Sequence, residues 1–462
     1  MADLSFPLDK PLSSLGIKSR LLHLNGMLHA VRKWKDPQAD KAIHLLVKDN
    51  IGVAGFPTSA GSYALKDLEL PDAFCIQRLR RNPNIDFFGK THLTELAGFV
   101  TSNVLPYGYS ELGGFGRNPH GNFPCGGSSA GSAIAVAAGF CDAALGTETR
   151  GSLMIPGFRN GVYSFKPTRG LVSRTGIIPL SSSFDAPGVL TRNPALLKEV
   201  FLSMIGVDPA DDQSFELRSK ESKPSRKRII LCVNRSLGEM ELLQTKLRSF
   251  LAQLKLNGFE IIFIDLPEVS FDYKTISSTD IRADITKFLH RYGSDNEPRS
   301  FEGLVECYRE RPHAHLYGME RLEDALAMPQ IEKSELKKLV QENVAKARNG
   351  RALKKKVQRA ETAIMINILS VLIYTSSFLF CNTTNNPDVS KSAGSIKPEA
   401  PNMIRQIMPI PRPAKAGVCL SAFSHWSIKM ITNRAVMQKS MPSISHGISC
   451  PNIPPKTEPI IQ

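Results

Sequence analysis

Residues 125–168 read CGGSSAGSAIAVAAGFCDAALGTETRGSLMIPGFRNGVYSFKPT, and the rest of the chain is organised around them. The stretch holds two glycine–serine turns, residues 126–129 (GGSS) and 151–152 (GS), on either side of an apolar segment rich in alanine. Glycine lets the backbone adopt positive φ or approach a ligand closely, and the serines beside it offer hydroxyl and N–H groups. The stretch therefore predicts a site built largely from backbone groups.

Residues 132–140 (SAIAVAAGF) are small and apolar all round, which predicts a buried helix that begins at the first turn. Unpaired N–H groups and the dipole at a helix start favour a negative charge or a developing oxyanion. A P-loop would need a Gly-Lys-Ser/Thr end, and a dinucleotide site would need Gly-x-Gly-x-x-Gly after a strand. Neither pattern occurs here. A protein that only binds an anion at these turns stays an alternative.

The candidate base lies upstream of both turns. Residues 43–47 (IHLLV) predict a buried strand that ends at Lys48, and a loop rich in Gly, Pro, Ser and Thr follows at 52–62. A serine hydroxyl is a weak nucleophile unless a base lies close by, and neither serine turn contains a histidine. Lys48 could serve if burial lowers its pKa, and the alternative is an ordinary lysine at a strand end.

Composition narrows the class of protein. The 462 residues are 42% apolar and 22% charged, as in a soluble globular protein. Eight scattered cysteines without a CxxC pair, and a start without a secretory signal, predict reduced thiols and a cytoplasmic location. The net charge of +15 is spread in small clusters without interleaved aromatic residues, so no nucleic-acid partner is predicted.

Predicted strands and helices alternate along the chain, and this alternation predicts an α/β domain. Residues 71–82 are predicted as helix, 85–88 as strand and 90–99 as helix, and residues 228–265 show a strand–helix–strand pattern typical of a βαβ unit. The predicted units are a partly helical lead-in at 1–40, an α/β domain at 41–380 and a basic, poorly ordered tail at 381–462. Within the domain lie a core motif at 43–192, the βαβ unit and a helix-rich variable region at 270–360.

Two further segments carry weaker indications of other functions. The apolar run 363–380 is long enough for a membrane span, but its polar residues favour a helix end that leads into a strand at 370–374, so no span is predicted. His313 and His315 form half of a metal site at most, because no acidic or cysteine partner lies near them in sequence. No metal is predicted.

Six segments together resemble the amidase signature family of serine hydrolases. They are VKDNIGVAGFPTSAGS (47–62), GKTHLTELA (89–97), CGGSSAGSAIAVAAG (125–139), ALGTETRGS (144–152), FKPTRGLVSRTGIIPLSSSFDAPGVLTR (165–192) and IGVDPAD (205–211). The resemblance implies the fold of that family, a large twisted mixed β-sheet covered on both faces by helices. It extends, more distantly, to the A subunits of tRNA-dependent amidotransferases.

The resemblance also implies roles for individual residues. Lys48 would be the general base, Ser128 a relay serine that follows a cis peptide bond, and Ser152 the nucleophile that forms an acyl-enzyme. The N–H groups of Thr149, Arg150, Gly151 and Ser152 would form the oxyanion hole, with the Ser129 hydroxyl in support. The implied reaction is hydrolysis of a small-molecule amide without a cofactor, and a homo-oligomer is left open.

The chain departs from the family pattern at three places. Arg150 stands where glycine is usual, and Met154 stands where an arginine usually pairs with the carboxylate at the position of Asp185. Asp185 would therefore lose its partner unless Arg150 or Arg159 replaces that arginine, and the alternative is a buried, unpaired carboxylate that is energetically costly or protonated. No segment like the family's AGYPAITVPAG follows residue 375. This leaves two alternatives to an active amidase: an impaired remnant with a truncated or frameshifted C-terminus, and a protein like an amidotransferase A subunit.

Overall fold

The computed structural model describes residues 11–101, 108–217, 228–233, 241–264, 271–312, 317–348 and 362–366. The predicted tail at 381–462, the pair His313 and His315, and the predicted strand at 370–374 lie outside these residues. Of the apolar run 363–380, only residues 363–366 are described, and they lie in a strand. None of the helices in the described ranges has the length and hydropathy to cross a membrane.

Eleven strands are described, and six of them form the main sheet in the order β1-β3-β2-β6-β8-β7. The strands are β1 (Val31–Trp34), β2 (Ile43–Lys48), β3 (Ile85–Thr91), β4 (Tyr109–Ser110), β5 (Gly114–Phe115), β6 (Ala143–Glu148), β7 (Tyr163–Phe165), β8 (Ala186–Thr191), β9 (Arg228–Val233), β10 (Phe259–Ile264) and β11 (Thr362–Ile366). β2 runs parallel to β3 and β6, whereas β1 pairs with β3, and β8 with β6 and β7, in antiparallel register. The sheet is mixed.

Ten α-helices are described: α1 (Ser14–Leu28), α2 (Phe74–Leu79), α3 (Ala130–Ala138), α4 (Met154–Arg159), α5 (Pro194–Met204), α6 (Glu241–Leu256), α7 (Tyr273–Tyr292), α8 (Phe301–Arg309), α9 (Glu320–Ala327) and α10 (Lys333–Arg348). Short 3₁₀ helices occur at Tyr63–Leu65 and Glu95–Gly98. Helices thus flank the sheet, and the predicted α/β fold class is confirmed.

The central strands are apolar on both faces because both faces are covered. Every residue of β2 is buried, and its side chains alternate between two cores. Leu46 packs in one core with α3, whereas Leu45 and Val47 pack in the other with α2 and α5. This alternation directs Lys48, two residues after Leu46, to the face that carries α3.

Helix α3 lies close to the sheet because its residues are small. All nine of its residues are buried. At Gly131 a Cβ atom would lie 2.4 Å from the carbonyl oxygens of Ala30 and His92, so only glycine fits there. The predicted buried helix after the first serine turn is present, and its start is held against β3 and the residue before β1.

The βαβ unit is also present as predicted. β9, α6 and β10 follow one another, and β9 pairs in parallel with both β10 and β11. Downstream, α7, α8 and α9 bury apolar side chains such as Ile281, Leu304 and Leu322 in a third core with Leu65 and Leu93. The helix-rich region therefore packs against the loops that surround the end of β2.

Two local predictions differ from the structure. The predicted helix at 90–99 is wrong: β3 continues to Thr91, and only a 3₁₀ turn with left-handed Leu96 and Ala97 follows. Lys90 is fully buried and bonds the Ile51 carbonyl, which fixes it in the sheet rather than on a helix. In the lead-in, α1 agrees with the expected helix, but β1 forms an edge of the main sheet.

Candidate active site

Lys48 is the most deeply buried charged group near the serine turns. Its side chain has no exposed surface, and its Nζ donates to Ser128 Oγ at 2.9 Å and to Thr147 Oγ1 at 2.8 Å. Thr147 Oγ1 also accepts a hydrogen bond from Asn50 Nδ2 at 3.1 Å. The end of β2, the end of β6 and the turn before α3 thus bring a lysine amine and two hydroxyls into one hydrogen-bonded cluster.

Burial changes the protonation of Lys48. Loss of solvation lowers the pKa of its amine to about 7, and the more distant carboxylates of Asp185 and Glu148 oppose that change only in part. A lysine with this pKa has a large neutral fraction near neutral pH, so it can accept a proton. The ordinary lysine at a strand end, the alternative left open by the sequence, does not describe this group.

The first serine turn places both of its hydroxyls inside the protein. The peptide bond between Gly127 and Ser128 is cis, and both Ser128 and Ser129 are buried. Ser129 Oγ donates to the Thr147 carbonyl at 3.2 Å, and the Ser129 N–H donates to the Ser152 carbonyl at 3.0 Å. This backbone bond ties the first turn to the second, so the two turns are neighbours in space.

The second turn is shaped by a buried carboxylate. Glu148 accepts hydrogen bonds from the N–H groups of Gly151 at 2.9 Å, Leu153 at 2.7 Å and Met154 at 3.0 Å. The Gly151 N–H is therefore engaged by a side chain. In the described part of the chain, the N–H groups of Thr149, Arg150 and Ser152 donate to no protein group. Ser152 itself is partly exposed.

Asp185 is satisfied without an arginine side chain. Its carboxylate accepts from Thr149 Oγ1 at 2.5 Å and from the N–H groups of Leu180 at 2.8 Å and Ser181 at 2.9 Å. Burial raises its pKa, and these hydrogen bonds and the charge of Arg174 act in the opposite direction.

Of the alternatives left open by the sequence, the replacement of the missing arginine by Arg150 or Arg159 is not the one that the structure shows. Arg150 lies over the Tyr273 ring, and Arg159 lies over the Phe158 ring. Hydrogen bonds to neutral donors satisfy the carboxylate here, so Met154 can occupy its position without leaving Asp185 unpaired.

A cavity of about 680 Å³ opens beside the second turn. Thr149 and Arg150 line it from the turn, and Phe99 and Phe184 line it from other loops of the core motif. The rest of its described wall comes from the helix-rich region, including Tyr273 and Arg321. A cavity of this size fits the range of small-molecule sites. The residues that would hold a substrate thus differ from the residues that would do the chemistry.

Sequence reasoning missed three residues of the cluster. Thr147 accepts a hydrogen bond from the Lys48 amine, and Asn50 donates to the same Thr147 hydroxyl. Glu148 accepts hydrogen bonds from the N–H groups of the second turn. All three lie inside the quoted motifs, next to Lys48 or to the 149–152 turn. A polar residue at the buried end of a strand was the available signal.

No group of three or more His, Cys, Asp or Glu side chains that could hold a metal ion is found in the described ranges. The chemistry available to the described cluster is thus proton transfer between an amine and hydroxyls, next to free backbone N–H groups. This combination suits nucleophilic attack by a serine on a carbonyl carbon.

The amidase family model matches residues 41–402. The A subunit of glutamyl-tRNA(Gln) amidotransferase from Campylobacter lari is 33% identical over 272 residues, which are 56% of this chain and 58% of that protein. Among solved structures, an amidase family protein from Bacillus anthracis superposes with a TM-score of 0.68 at 26% identity, covering 78% of this chain and 79% of that one. The peptide amidase of Stenotrophomonas maltophilia superposes with a TM-score of 0.64 at 28% identity, covering 71% and 74%.

The chain spans little more than half the length of the Campylobacter protein, and further curated relatives are matched over 35% and 29% of their own lengths. The solved structures are covered to about three quarters. The similarity therefore reaches beyond the six quoted segments, into the helix-rich part of the chain.

Proposed function

This chain belongs to the amidase family, and on that basis we propose that it hydrolyses the C–N bond of a carboxamide to a carboxylic acid and ammonia or an amine. The observation that carries the proposal is the contact of 2.9 Å between Lys48 Nζ and Ser128 Oγ, at a lysine whose pKa is lowered to about 7. A buried amine with a serine hydroxyl as its partner is a proton acceptor that can act through that hydroxyl.

The proposed reaction has two halves. In the first, Ser152 Oγ attacks the carbonyl carbon and passes its proton to Ser128, whose own proton moves to Lys48. The C–N bond then breaks, the leaving amine takes that proton back through Ser128, and an ester to Ser152 remains. In the second half, water passes a proton through Ser128 to Lys48 as its oxygen attacks the ester carbon. The C–O bond to Ser152 then breaks, Ser152 Oγ takes the proton back along the same route, and the carboxylic acid is released.

Backbone groups would stabilise the oxyanion in both halves. The N–H groups of Thr149, Arg150 and Ser152 are the candidate donors, because Glu148 occupies the Gly151 N–H. Ser129 supports the same turn through its bond to the Ser152 carbonyl. Loss of one such donor typically costs ~10²–10³ in rate.

Labelling with a fluorophosphonate probe tests the nucleophile. The protein should be labelled covalently at Ser152, and Ser152→Ala should abolish both labelling and release of ammonia from a carboxamide. Ser128→Ala should slow labelling strongly, because the proton relay is interrupted. Ser203→Ala is the matched control, because the Ser203 hydroxyl only donates to the Glu199 carbonyl in α5. Unchanged labelling of Ser152→Ala would refute the assignment.

A second candidate function uses the same acyl-enzyme chemistry but delivers the released ammonia to a different acceptor. The curated relative from Campylobacter lari is named as an amidotransferase A subunit, so this chain could release ammonia for a partner rather than to water. Both candidates form the same acyl-enzyme on Ser152. Copurification of a second protein that the activity requires would favour the amidotransferase, and rapid hydrolysis by the chain alone would favour the amidase.

We propose a cytoplasmic enzyme that acts on a small-molecule amide. Cys75, Cys141 and Cys307 are free thiols, which is compatible with a reducing compartment. The domain boundaries at 40 and 380, and the absence of a nucleic-acid partner, stay predictions. Limited proteolysis followed by mass spectrometry would locate the first boundary, and a gel-shift assay would test the second prediction.

A further inference from the structure

The cavity beside the second turn has more cationic than anionic side chains. Its described wall includes Arg150, Tyr273, Lys274, Arg321, Asp324 and Asn343. Lys274 Nζ lies 2.7 Å from the carboxylate of Asp324, so these two charges offset each other. Two guanidinium groups remain, those of Arg150 and Arg321.

Neither guanidinium group has a carboxylate partner within the described ranges. Arg321 donates through Nη1 to the Gly98 carbonyl at 2.8 Å, a neutral acceptor that holds the side chain in place. Arg150 lies on the second turn and is exposed to the cavity. Guanidinium groups bind carboxylates strongly, through paired N–H donors. Two of them in one cavity point to an anionic ligand.

Aromatic rings hold both groups along the same wall. The Cζ of Arg150 lies 4.8 Å from the ring centroid of Tyr273, and the Cζ of Arg321 lies 5.6 Å from that of Phe99. Phe184 packs on Tyr273, with 5.5 Å between their ring centroids. The cavity therefore combines an apolar surface for a hydrocarbon or aryl chain with cations at its edge.

A third observation points to a polar ligand in the same place. Asn343 lines the cavity, its side chain is only 5% exposed, and neither its Nδ2 nor its Oδ1 has a hydrogen-bond partner in the described part of the chain. A buried amide without a partner is unfavourable unless something else bonds it. An anionic group between the guanidinium groups could accept from Nδ2.

We propose that this cavity binds the acyl part of the substrate, and that this acyl part is an aryl or alkyl chain ending in a carboxylate, recognised by Arg150 and Arg321. The inference rests on the proposed hydrolysis. For the primary carboxamides among the proposed substrates the leaving group is ammonia, so the acyl part is the fragment large enough to fill a cavity of about 680 Å³ next to the nucleophile turn.

Two isosteric amides test the charge preference. 3-(4-Carboxyphenyl)propanamide carries a carboxylate, and 3-(4-nitrophenyl)propanamide carries a neutral group of the same shape. With ammonia release as the measurement, kcat/KM should be at least ~10-fold higher for the carboxylate. Arg321→Gln should bring the ratio of the two values towards 1, and Arg321→Lys should restore part of it. Arg299→Gln, at an exposed arginine that pairs with Asp295, should keep the full ratio.

Calorimetric titration of the Ser152→Ala variant with both amides separates the two proposals. Tighter binding of the carboxylate, reduced by Arg321→Gln, would support the charge recognition even if the wild type hydrolysed neither amide, in which case only the proposed hydrolysis would fail. Equal hydrolysis of both amides, or a ratio that Arg321→Gln leaves unchanged, would overturn the inference while the hydrolysis stands. Binding of neither amide would overturn it too.

Discussion

Two lysines are fully buried on neighbouring parallel strands, and only one of them has the surroundings of a catalytic base. Lys48 ends β2, and Lys90 lies in β3 opposite Val47 in the strand register. Because side chains alternate along a strand, the two amines extend to opposite faces of the sheet. Lys48 lies on the face with α3 and the serine turns, and Lys90 lies on the other.

The two amines differ in the chemistry of their partners rather than in burial. Burial lowers the pKa of Lys48 to about 7 and that of Lys90 to about 8. Lys90 donates to the Ile51 carbonyl at 2.5 Å and to Thr58 Oγ1 at 2.7 Å, and its Nζ lies 3.7 Å from Asp49 Oδ1. The partners of Lys48 within hydrogen-bond distance are hydroxyls.

A hydroxyl can both accept and give a proton, whereas a carbonyl oxygen can only accept a hydrogen bond. Both amines contact a hydroxyl, but the Ser128 hydroxyl beside Lys48 lies in the turn that is hydrogen-bonded to the Ser152 turn, so a proton can be passed towards Ser152. The Lys90 amine lies instead beside the carboxylate of Asp49, on the opposite face of the sheet. A buried lysine with a lowered pKa is a candidate base only when its hydroxyl partner leads to a nucleophile.

The largest effect is expected at Lys48. Lys48→Met should lower kcat/KM for carboxamide hydrolysis by at least ~10³-fold, since the general base is lost. The melting temperature should fall by less than that of a matching Lys90 variant, because Lys48→Met loses hydrogen bonds to two hydroxyls but leaves no carboxylate without its nearest cation. Lys33→Met, at an exposed position of β1, is the control and should retain full activity. Substantial activity of Lys48→Met would remove the distinction between the two lysines.

Lys90 should show the reverse pattern. Lys90→Met should lower the free energy of unfolding by about 3 kcal/mol, because it removes two hydrogen bonds and the cation nearest to Asp49 Oδ1. Activity per folded molecule should fall by no more than a few-fold. Urea unfolding gives the stability, and titration with the fluorophosphonate probe gives the folded, active fraction. A loss of activity as large as that of Lys48→Met would contradict the structural role.

The pH dependence of activity sharpens the assignment of the base. Lys48 accepts a proton only when neutral, so kcat/KM should rise with pH, with a midpoint near 7, and level off above it. A lysine with an unshifted pKa would place the midpoint more than three units higher, near the ordinary lysine value of 10.5. Rates from pH 5 to 10 on a neutral amide distinguish the two. A rise centred above pH 9 would exclude Lys48 as described.

The smallest effect is expected at Thr147. Thr147→Val removes an acceptor of the charged Lys48 amine, so the pKa of Lys48 should fall further and the midpoint of the pH profile should move down by about half a unit. Thr191→Val is the matched control, because the Thr191 hydroxyl is equally buried but donates to the Asp142 carbonyl, away from the cluster. A shift of equal size in both variants would argue against the hydrogen bond.

The spacing of apolar and small residues along the chain correctly predicted those helices and strands that depend mainly on their own sequence. Three examples are the apolar run of β2, the small residues of α3 and the strand–helix–strand unit at 228–265. In each of them the residue pattern fits one type of secondary structure. Residues 90–99 show where this fails. KTHLTELAGF has helical spacing, yet Lys90 bonds the Ile51 carbonyl and Glu95 accepts from the Tyr308 hydroxyl, and these distant contacts outweigh the local preference.

The partner of Asp185 could not be read from the sequence either. Its carboxylate accepts hydrogen bonds from the Thr149 hydroxyl and two backbone N–H groups. Every residue except proline has a backbone N–H group, so the sequence does not indicate which of them bind this carboxylate. The sequence motif identified the carboxylate, and the tertiary structure determines which groups donate hydrogen bonds to it.

The sequence by itself determined the family, the mixed α/β class and the candidate residues Lys48, Ser128 and Ser152, because these depend on short motifs and on the period of apolar residues. Only the tertiary structure decided that Lys48 is buried against hydroxyls while Lys90 lies beside a carboxylate, and that Arg150 and Arg321 share one cavity. A pKa and a binding surface depend on solvation and on groups distant in the chain, and these are fixed only when the elements pack.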